Sequence, residues 1–525
     1  MEVRLPYSSL PYPRILYFAA GSFIVYYVNN NEVLICMGDN NQSTLQKSIG
    51  GGKWMFINTA LQKIITLGSL FILARLLLPR DFGLIAIMLI VPPILDILTS
   101  VDFENALIYR KADPYPYLNG IWTINVVRSF FIFIIVFLTG PAIAKFFHVD
   151  GEATLIRMGG LLILFSGLNN VGQFFFFKNI DFKKVFIRDI SGQTAYFLVA
   201  VTLAIYTRSF WALFLGQAAM YFTSMVVTYF LHDYRPRLTL KFKHFKELLP
   251  YVKWTYGQGI LSQIMSTIEN TVIGRFIGAT EVGLYSKANG LASAPISPFL
   301  SIINKVGFPV YSEIQEFSYK VKEGFMRSLD VLFFVTVPFL FLVLTSADRL
   351  VLITLGKNWV GIGSLFKILT VAATLHIISA LAATVFNALG HPKFQFAITV
   401  LNFILLIPLL LAFAPRYGVE SVANIVLFSS IIVSGAAFYK VAKLTRVTIG
   451  EFTRILAIPV LSSSFVTVIG EIMIWSFDLS RGIPFLAVIT ALGIVYLSLI
   501  FLAGKKFRRG PYQTIRLIID KGFVK

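Results

Sequence analysis

KWMFINTALQKIITLGSLFILARLLLPRDFGL, residues 53–84, returns two hundred residues later as KWTYGQGILSQIMSTIENTVIGRFIGATEVGL, residues 253–284. Without a gap, seven of the 32 positions are identical: Lys53, Trp54, Leu61, Ile64, Arg75, Gly83 and Leu84 recur as Lys253, Trp254, Leu261, Ile264, Arg275, Gly283 and Leu284. Asp81 recurs as Glu281. The polar positions also align, with Asn58, Gln62, Thr66 and Ser69 against Gln258, Ser262, Ser266 and Glu269. Their spacing of 4, 4 and 3 places each set on one face of a helix. Each copy is otherwise long and apolar enough to span a bilayer. A polar stripe on such a helix must face a partner helix or a water-filled space, because lipid cannot satisfy it. Gln62, Gln258 and Glu269 are too large and polar for small-residue packing to account for them, which favours a cavity.

Composition agrees with a chain of membrane helices. The 525 residues are 56% hydrophobic and 14% charged, with a mean hydropathy of +0.75. At ~20 residues per span, that apolar content supplies about fourteen. It excludes a soluble enzyme and a disordered chain, and continuous rather than alternating runs argue against a membrane β-barrel. The runs fall at 54–78, 82–101, 118–138, 153–176, 185–206, 209–231, 253–275, 282–311, 328–346, 362–388, 394–413, 418–439, 452–475 and 483–503. Alternate connections carry 27 Lys and Arg against 8 in the other set. By the positive-inside rule the rich set and both termini are cytoplasmic, in a cell membrane. The net charge of +20 is then mostly topology, and no nucleic acid is needed to explain it.

Six spans separate the repeated segments, so both copies insert the same way up. The expected fold is all-α and integral to the membrane, with about fourteen helices. Two six-helix lobes would form a parallel pseudo-two-fold repeat, followed by two C-terminal helices. Residues 1–52 form a leader, 53–231 the first lobe, 232–252 a basic linker and 253–443 the second lobe. Residues 444–504 carry the last two helices and 505–525 a basic tail. Within the leader, the apolar run Ile15–Val28 is short for a span and lacks a small-x-small cleavage site. The composition changes at Met37, which is the expected natural start. An interfacial helix or a cleaved signal are the alternatives. The only cysteine is Cys36, so neither an intramolecular disulfide nor a cysteine metal site is available. No cofactor or metal is expected. No P-loop, H-E-x-x-H or G-x-S-x-G pattern occurs, and the chain is not read as an enzyme.

Ionisable residues within spans are the candidates for function. Arg128 lies midway through 118–138, one turn after Asn125. It is an expected anion ligand, with an ion pair to Asp96 as the structural alternative. Asp96 follows Pro92-Pro93, which should break the second span. Glu269 and Asp96 are the candidate ion-coupling acids. Asn58, Gln62, Gln258, Ser262, Asn289 and Lys305 join Arg128 and Asn125 as candidate substrate contacts. Lys287 and Lys305 read as snorkelling near helix ends, and His376 as a core histidine. Arg75 and Arg275 point away from the polar stripes and are expected to pair with Asp81 and Glu281.

Two segments carry a resemblance: GGKWMFINTALQKI leading into LARLLLPRDFGLIAI (73–87), and IENTVIGRFIGATEVGLYSKANGLASAPISPFLSIINKVGFPVYSEIQ (268–315). They resemble Wzx-like polysaccharide-repeat flippases of the multidrug/oligosaccharidyl-lipid/polysaccharide exporter superfamily, loosely over 45–504. Where that family often has Asp-Asn, this chain has Glu269-Asn270. The resemblance implies a two-lobed, V-shaped transporter that moves a polyprenyl-diphosphate-linked oligosaccharide between leaflets for lipopolysaccharide, capsule or exopolysaccharide. Its expected partners are that lipid-linked substrate, the bilayer, and polysaccharide polymerase or export machinery. The alternatives are a cation-coupled exporter of the same superfamily and a membrane-embedded glycan polymerase or ligase.

Overall fold

The computed structural model describes residues 4–6, 27–29, 32–34, 39–100, 114–179, 181–239, 249–476 and 482–507. The helices are α1 (Asp39–Leu76), α2 (Pro79–Met88), α3 (Val91–Thr99), α4 (Tyr115–Phe146), α5 (Ala153–Gly167), α6 (Phe174–Lys178), α7 (Phe182–Thr207) and α8 (Phe210–Leu231). They continue as α9 (Leu249–Phe276), α10 (Ala279–Ser293), α11 (Ser297–Glu313), α12 (Ser318–Thr354), α13 (Ile362–Ala388), α14 (Pro392–Thr445), α15 (Ile449–Ser476) and α16 (Gly482–Phe507). Three short strands, β1 (Arg4–Pro6), β2 (Tyr27–Asn29) and β3 (Glu32–Leu34), pair antiparallel in the order β1-β3-β2. Among the described residues they are the one regular element that is not helical; all of Ile15–Val28 but its last two residues lies outside the described residues. Nine described helices or helix pairs are long and apolar enough to cross a membrane, or ten if the 60° bend between Asp150–Gly167 and Val171–Lys178 is one span. Leu138 and Phe230 are 71% and 82% exposed, as expected for side chains facing lipid rather than water.

The breaks follow from backbone chemistry. Pro92 sits in the first turn of α3, where its missing N–H is no loss, so the second span bends just ahead of it, at Leu89–Ile90. Pro298 begins α11 in the same way after the break at 294–296. In α14, Gly418 takes φ 73° and splits the helix into the two arms that the sequence separates at 414–417.

Helix packing repeats along the chain. In residues 53–231, α1 packs on α7, α2 on α5, α3 on α4 and α4 on α5. In residues 253–443, α9 packs on α14, α10 on α13, α11 on α12 and α12 on α13. Each contact in the second half is the repeat mate of one in the first. α15 then packs on α12, and α16 on α15. A capping box opens α15: Glu451 Oε2 accepts from the Thr448 amide at 2.9 Å, and the Glu451 amide donates to Thr448 Oγ1 at 3.3 Å. Lys322 on α12 holds the same carboxylate at 2.7 Å.

The halves meet at the end of the bundle with few charges, formed by the turns 76–79, 146–153, 276–279 and 354–362. There α2 crosses α10 with backbone against backbone. A Cβ on Gly83 would lie 2.7 Å from the carbonyl carbon of Ala279, and one on Gly283 would lie 2.8 Å from that of Pro79. Pro79 and Ala279 are repeat mates, as are the two glycines. Reciprocal contact of this kind is the mark of a local two-fold axis.

Candidate functional site

The first polar stripe faces a helix. Asn58 Nδ2 and Gln62 Nε2 donate to Asp189 Oδ2 of α7 at 2.9 and 3.2 Å, and Gln62 also donates to Asn58 Oδ1 at 2.9 Å. Gln193, one turn after Asp189, donates to Thr66 Oγ1 at 3.2 Å. Arg188 closes the cluster, donating to Asp189 Oδ1 at 2.8 Å and to Gln173 Oε1 at 2.9 Å. Asn58 is buried, so the expectation of a cavity face fails for Asn58 and Gln62: their amides are spent on Asp189. Asp189 was legible only as the partner stripe. Asp189 and Gln193 repeat the four-residue spacing of Asn58, Gln62 and Thr66.

Arg128 is also engaged. Its Nη1 donates to Asp96 Oδ1 at 2.6 Å and to the Asp96 carbonyl at 2.8 Å. It therefore ties α4 to the last turn of α3, and the ion pair, not a free anion ligand, is what the structure contains. Its depth differs as well. α4 runs on to Phe146, so Arg128 lies about 27 Å before the charge-poor end, level with the close of α3. Asn125 packs its backbone close against Gly167 of α5.

Lys63 is placed differently. It lies on α1 about 20 Å from the charge-poor end and reaches across to the second half, with Nζ 3.3 Å from Ser297 Oγ in the first turn of α11. Ser262 on α9, Asn289 on α10 and Ser301 on α11 are exposed polar residues of the second half. Exposed Thr59 and Ser266 donate to carbonyls of their own helices, Met55 at 2.9 Å and Gln263 at 2.8 Å. The side chains of Gln258 and Lys305 lie outside the described residues.

Glu269 accepts from Tyr285 Oη at 2.7 Å inside the second half, and the neighbouring Asn270 Oδ1 is buried with no hydrogen bond among the described residues. Lys287, eight residues into α10, does not snorkel; it sits 4.6 Å over the ring of Phe82. Asp81 Oδ2 accepts from the Leu78 amide at 2.9 Å, and a Cβ on Gly278 would lie 3.2 Å from Glu281 Oε2. The acids thus serve their own turns, and the expected arginine pairs do not form. Arg75 instead donates to the carbonyl of Ile353, and Arg275 to that of Phe146 at 2.7 Å. Each arginine thereby caps a helix of the opposite half. No group of three or more potential metal ligands occurs among the described residues.

Residues 72–363 match the family described as polysaccharide biosynthesis protein. The chain belongs to that family. The Escherichia coli (strain K12) lipopolysaccharide biosynthesis protein WzxC is 25% identical over 460 residues, covering 86% of this chain and 89% of the relative. The Rhizobium meliloti (strain 1021) succinoglycan biosynthesis transport protein ExoT is 25% identical over 327 residues, covering 61% and 64%. Among solved structures, a lipid II flippase MurJ in an inward closed conformation superposes with a TM-score of 0.70 at 15% identity, covering 86% of this chain and 99% of the other. An inward-facing multidrug transporter of the MATE family follows at 0.57 and 16%, covering 74% and 96%. The fold is therefore that of the superfamily which the segments at 73–87 and 268–315 resemble.

Proposed function

We propose that this polysaccharide biosynthesis protein is a flippase for a polyprenyl-diphosphate-linked oligosaccharide repeat unit. It has fourteen spans, two lobes (53–231 and 253–443) and a C-terminal pair, and lies in the cell membrane with both termini cytoplasmic. The observation that carries the reading is the reciprocal closure at Gly83 and Gly283, set beside the reach of Lys63 across to Ser297 of the other half. A symmetric backbone contact that closes one end suits alternating access, because rocking the lobes about that contact exchanges the open end. The 27-to-8 charge asymmetry supports putting the closed end outside.

Lys63 and the first-turn amides of α11 offer the diphosphate a cation and N–H donors in one place, replacing part of the hydration it sheds. Ser262, Asn289 and Ser301 line the sugar side, and Arg128 with Asp96 steadies the inner end of α3. Glu269, with Tyr285, is the coupling carboxylate. The names of WzxC, ExoT and MurJ support the substrate class. A multidrug exporter is the weaker alternative, since its cationic cargo would meet Lys63.

The test is flipping of a fluorescent polyprenyl-diphosphate disaccharide in proteoliposomes, per unit of inserted protein. Lys63→Ala should lose most of the activity and Lys63→Arg should retain part of it. No flipping above empty vesicles by a well-folded wild-type protein, or full activity in Lys63→Ala, would refute the proposal.

A further inference from the structure

Arg157 is the fifth residue of α5 and stands beside Gly140 and Phe137 of α4. Lys367 is the sixth residue of α13 and stands beside Asp348 of α12. The two places correspond, since α13 is the repeat mate of α5 and α12 that of α4. Gly140 precedes the left-handed residue His148 by eight positions, as Asp348 precedes Gly356. In the second half the cation has a carboxylate of its own: Lys367 Nζ donates to Asp348 Oδ2 at 3.0 Å. Glycine makes the room on α13, where a Cβ on Gly363 would lie 2.8 Å from Asp348 Cγ. In the first half the glycine stands on α4, in the place of the acid. A Cβ on Gly140 would lie 3.1 Å from the Arg157 amide nitrogen. Arg157 thus has no ion pair or hydrogen bond among the described residues. Its Nε is buried and unpartnered, its guanidinium lies 5.6 Å over the Phe137 ring, and both Nη nitrogens reach the surface. Of the acids in the turn before α5, Glu152 is held by Arg80 at 2.7 Å and Asp150 makes no ion pair with Arg157.

Depth decides what that surface meets. α4 has 32 residues, about 48 Å, against a hydrocarbon core of about 30 Å, so about 9 Å projects at each end. Gly140 lies six residues, about 9 Å, before Phe146. Arg157 therefore sits where hydrocarbon gives way to headgroups. α4 packs chiefly on α3 and α5, and Phe130, Phe131 and Leu138 on it are exposed. A guanidinium at that level, with apolar walls and no acid of its own, matches a phosphate group, whose oxygens can take two N–H donors of the planar fork. We propose that Arg157, seated on Phe137 beside Gly140, binds the phosphate of a membrane phospholipid in the leaflet at the charge-poor end, with the acyl chains along the exposed face of α4. The second half has no such site, because Asp348 already stands where the phosphate would. The inference needs only that α4 spans a bilayer, and it does not rest on the flippase proposal.

Native mass spectrometry of the full chain, released from micelles containing phosphatidylglycerol, counts the lipids it retains. Wild type should retain one lipid more than Arg157→Gln, whose affinity for that lipid should fall about tenfold or more with the loss of a charge-assisted pair. Arg157→Lys should keep part of it. Asp348→Asn frees Lys367 and should add a second lipid, whereas Lys367→Gln should leave the count unchanged. Thermal unfolding checks that the variants fold. Wild type and Arg157→Gln should unfold alike in lipid-free detergent, and added phosphatidylglycerol should raise the midpoint of wild type more. Equal retention by wild type and Arg157→Gln would overturn the proposal, as would a lower midpoint of Arg157→Gln without lipid, which would make the arginine a packing residue. Displacement of the lipid by excess inorganic phosphate, or equal stabilisation by inorganic phosphate alone, would also overturn it, since the ligand would then be the free ion.

Discussion

The reciprocal glycine contact is the most exposed part of the reasoning, because a single methyl group tests it. In Gly83→Ala the added carbon would lie 2.7 Å from the Ala279 carbonyl carbon and 3.0 Å from the Gly283 amide, and would overlap the Ala279 carbonyl oxygen outright. Ordinary carbon–carbon contact is about 3.5–4.0 Å, so α2 and α10 must separate by about 1 Å. The obstacle is backbone on both sides, and no side chain can swing away. Overpacking of this kind costs about 1–3 kcal/mol. On the proposed alternating access, the contact belongs to the closed state, so the cost acts on the closed–open equilibrium and should shift it toward open by roughly five- to 150-fold at 1.4 kcal/mol per decade. Gly283→Ala meets Pro79 in the same way and should produce a shift of the same sign. The double mutant should cost less than the two singles added, since the separation forced by one methyl makes room for the other. Spin-label distances between Ala142→Cys and Thr280→Cys, with thermal unfolding, measure both effects. Unchanged distances in Gly83→Ala, or strictly additive costs in the double mutant, would refute the symmetric closure.

Arg128→Ala should lower folded abundance by leaving Asp96 unpaired, and adding Asp96→Asn should restore it; a single mutant that inserts at the wild-type level would count against the clamp. Thr448→Ala removes the cap of α15 and should lower stability by about 1 kcal/mol, seen as earlier loss of α15–α16 protection in hydrogen exchange. His232, just past α8, accepts from the Tyr234 amide at 3.0 Å, and burial and then nearby Lys184 hold its imidazole below the ordinary range. Its contribution is therefore intact above about pH 6.5 and declines as pH falls below that value. Protection factors in 232–239, referred to the intrinsic exchange rate at each pH, should fall in acid, and His232→Gln should abolish that fall.

How much could be read beforehand depended on whether a signal was periodic. The repeat 53–84 against 253–284, the apolar runs and the charge asymmetry are all sums over many residues, so they survive local exceptions. The break before Pro92 was legible too, because proline acts locally. Partners were not. Asn58 and Gln62 have the right face for a cavity, but face alone cannot distinguish water from Asp189 on a helix 127 or more residues away. The depth of Arg128 was misjudged for a related reason. Hydropathy ends the third span near Leu138, while the helix runs to Phe146. Lys63 stands out only through its partner, Ser297, which belongs to the other half.

The symmetry also explains where to look for chemistry. Two of the seven identical pairs, Gly83 with Gly283 and Arg75 with Arg275, serve the contact between the two halves. A two-fold contact needs the same residue on both sides. A substrate with a head and a tail has no such symmetry, and neither does a coupling ion. Residues that recognise them should therefore stand where the repeat is broken. Lys63 faces Gln263 in the alignment, Glu269 faces Ser69, and the left-handed turn is His148 in one half and Gly356 in the other. The first two broken pairs are the cation at the crossing and the buried carboxylate. Replacing either residue with its mate, as in Lys63→Gln or Glu269→Ser, should leave folding and thermal stability near wild type while altering transport. Breaking an agreed pair, as in Arg75→Gln or Arg275→Gln, should instead move the closure distance. A folded Lys63→Gln protein with wild-type flipping, alongside an Arg275→Gln protein with an unmoved closure, would refute it.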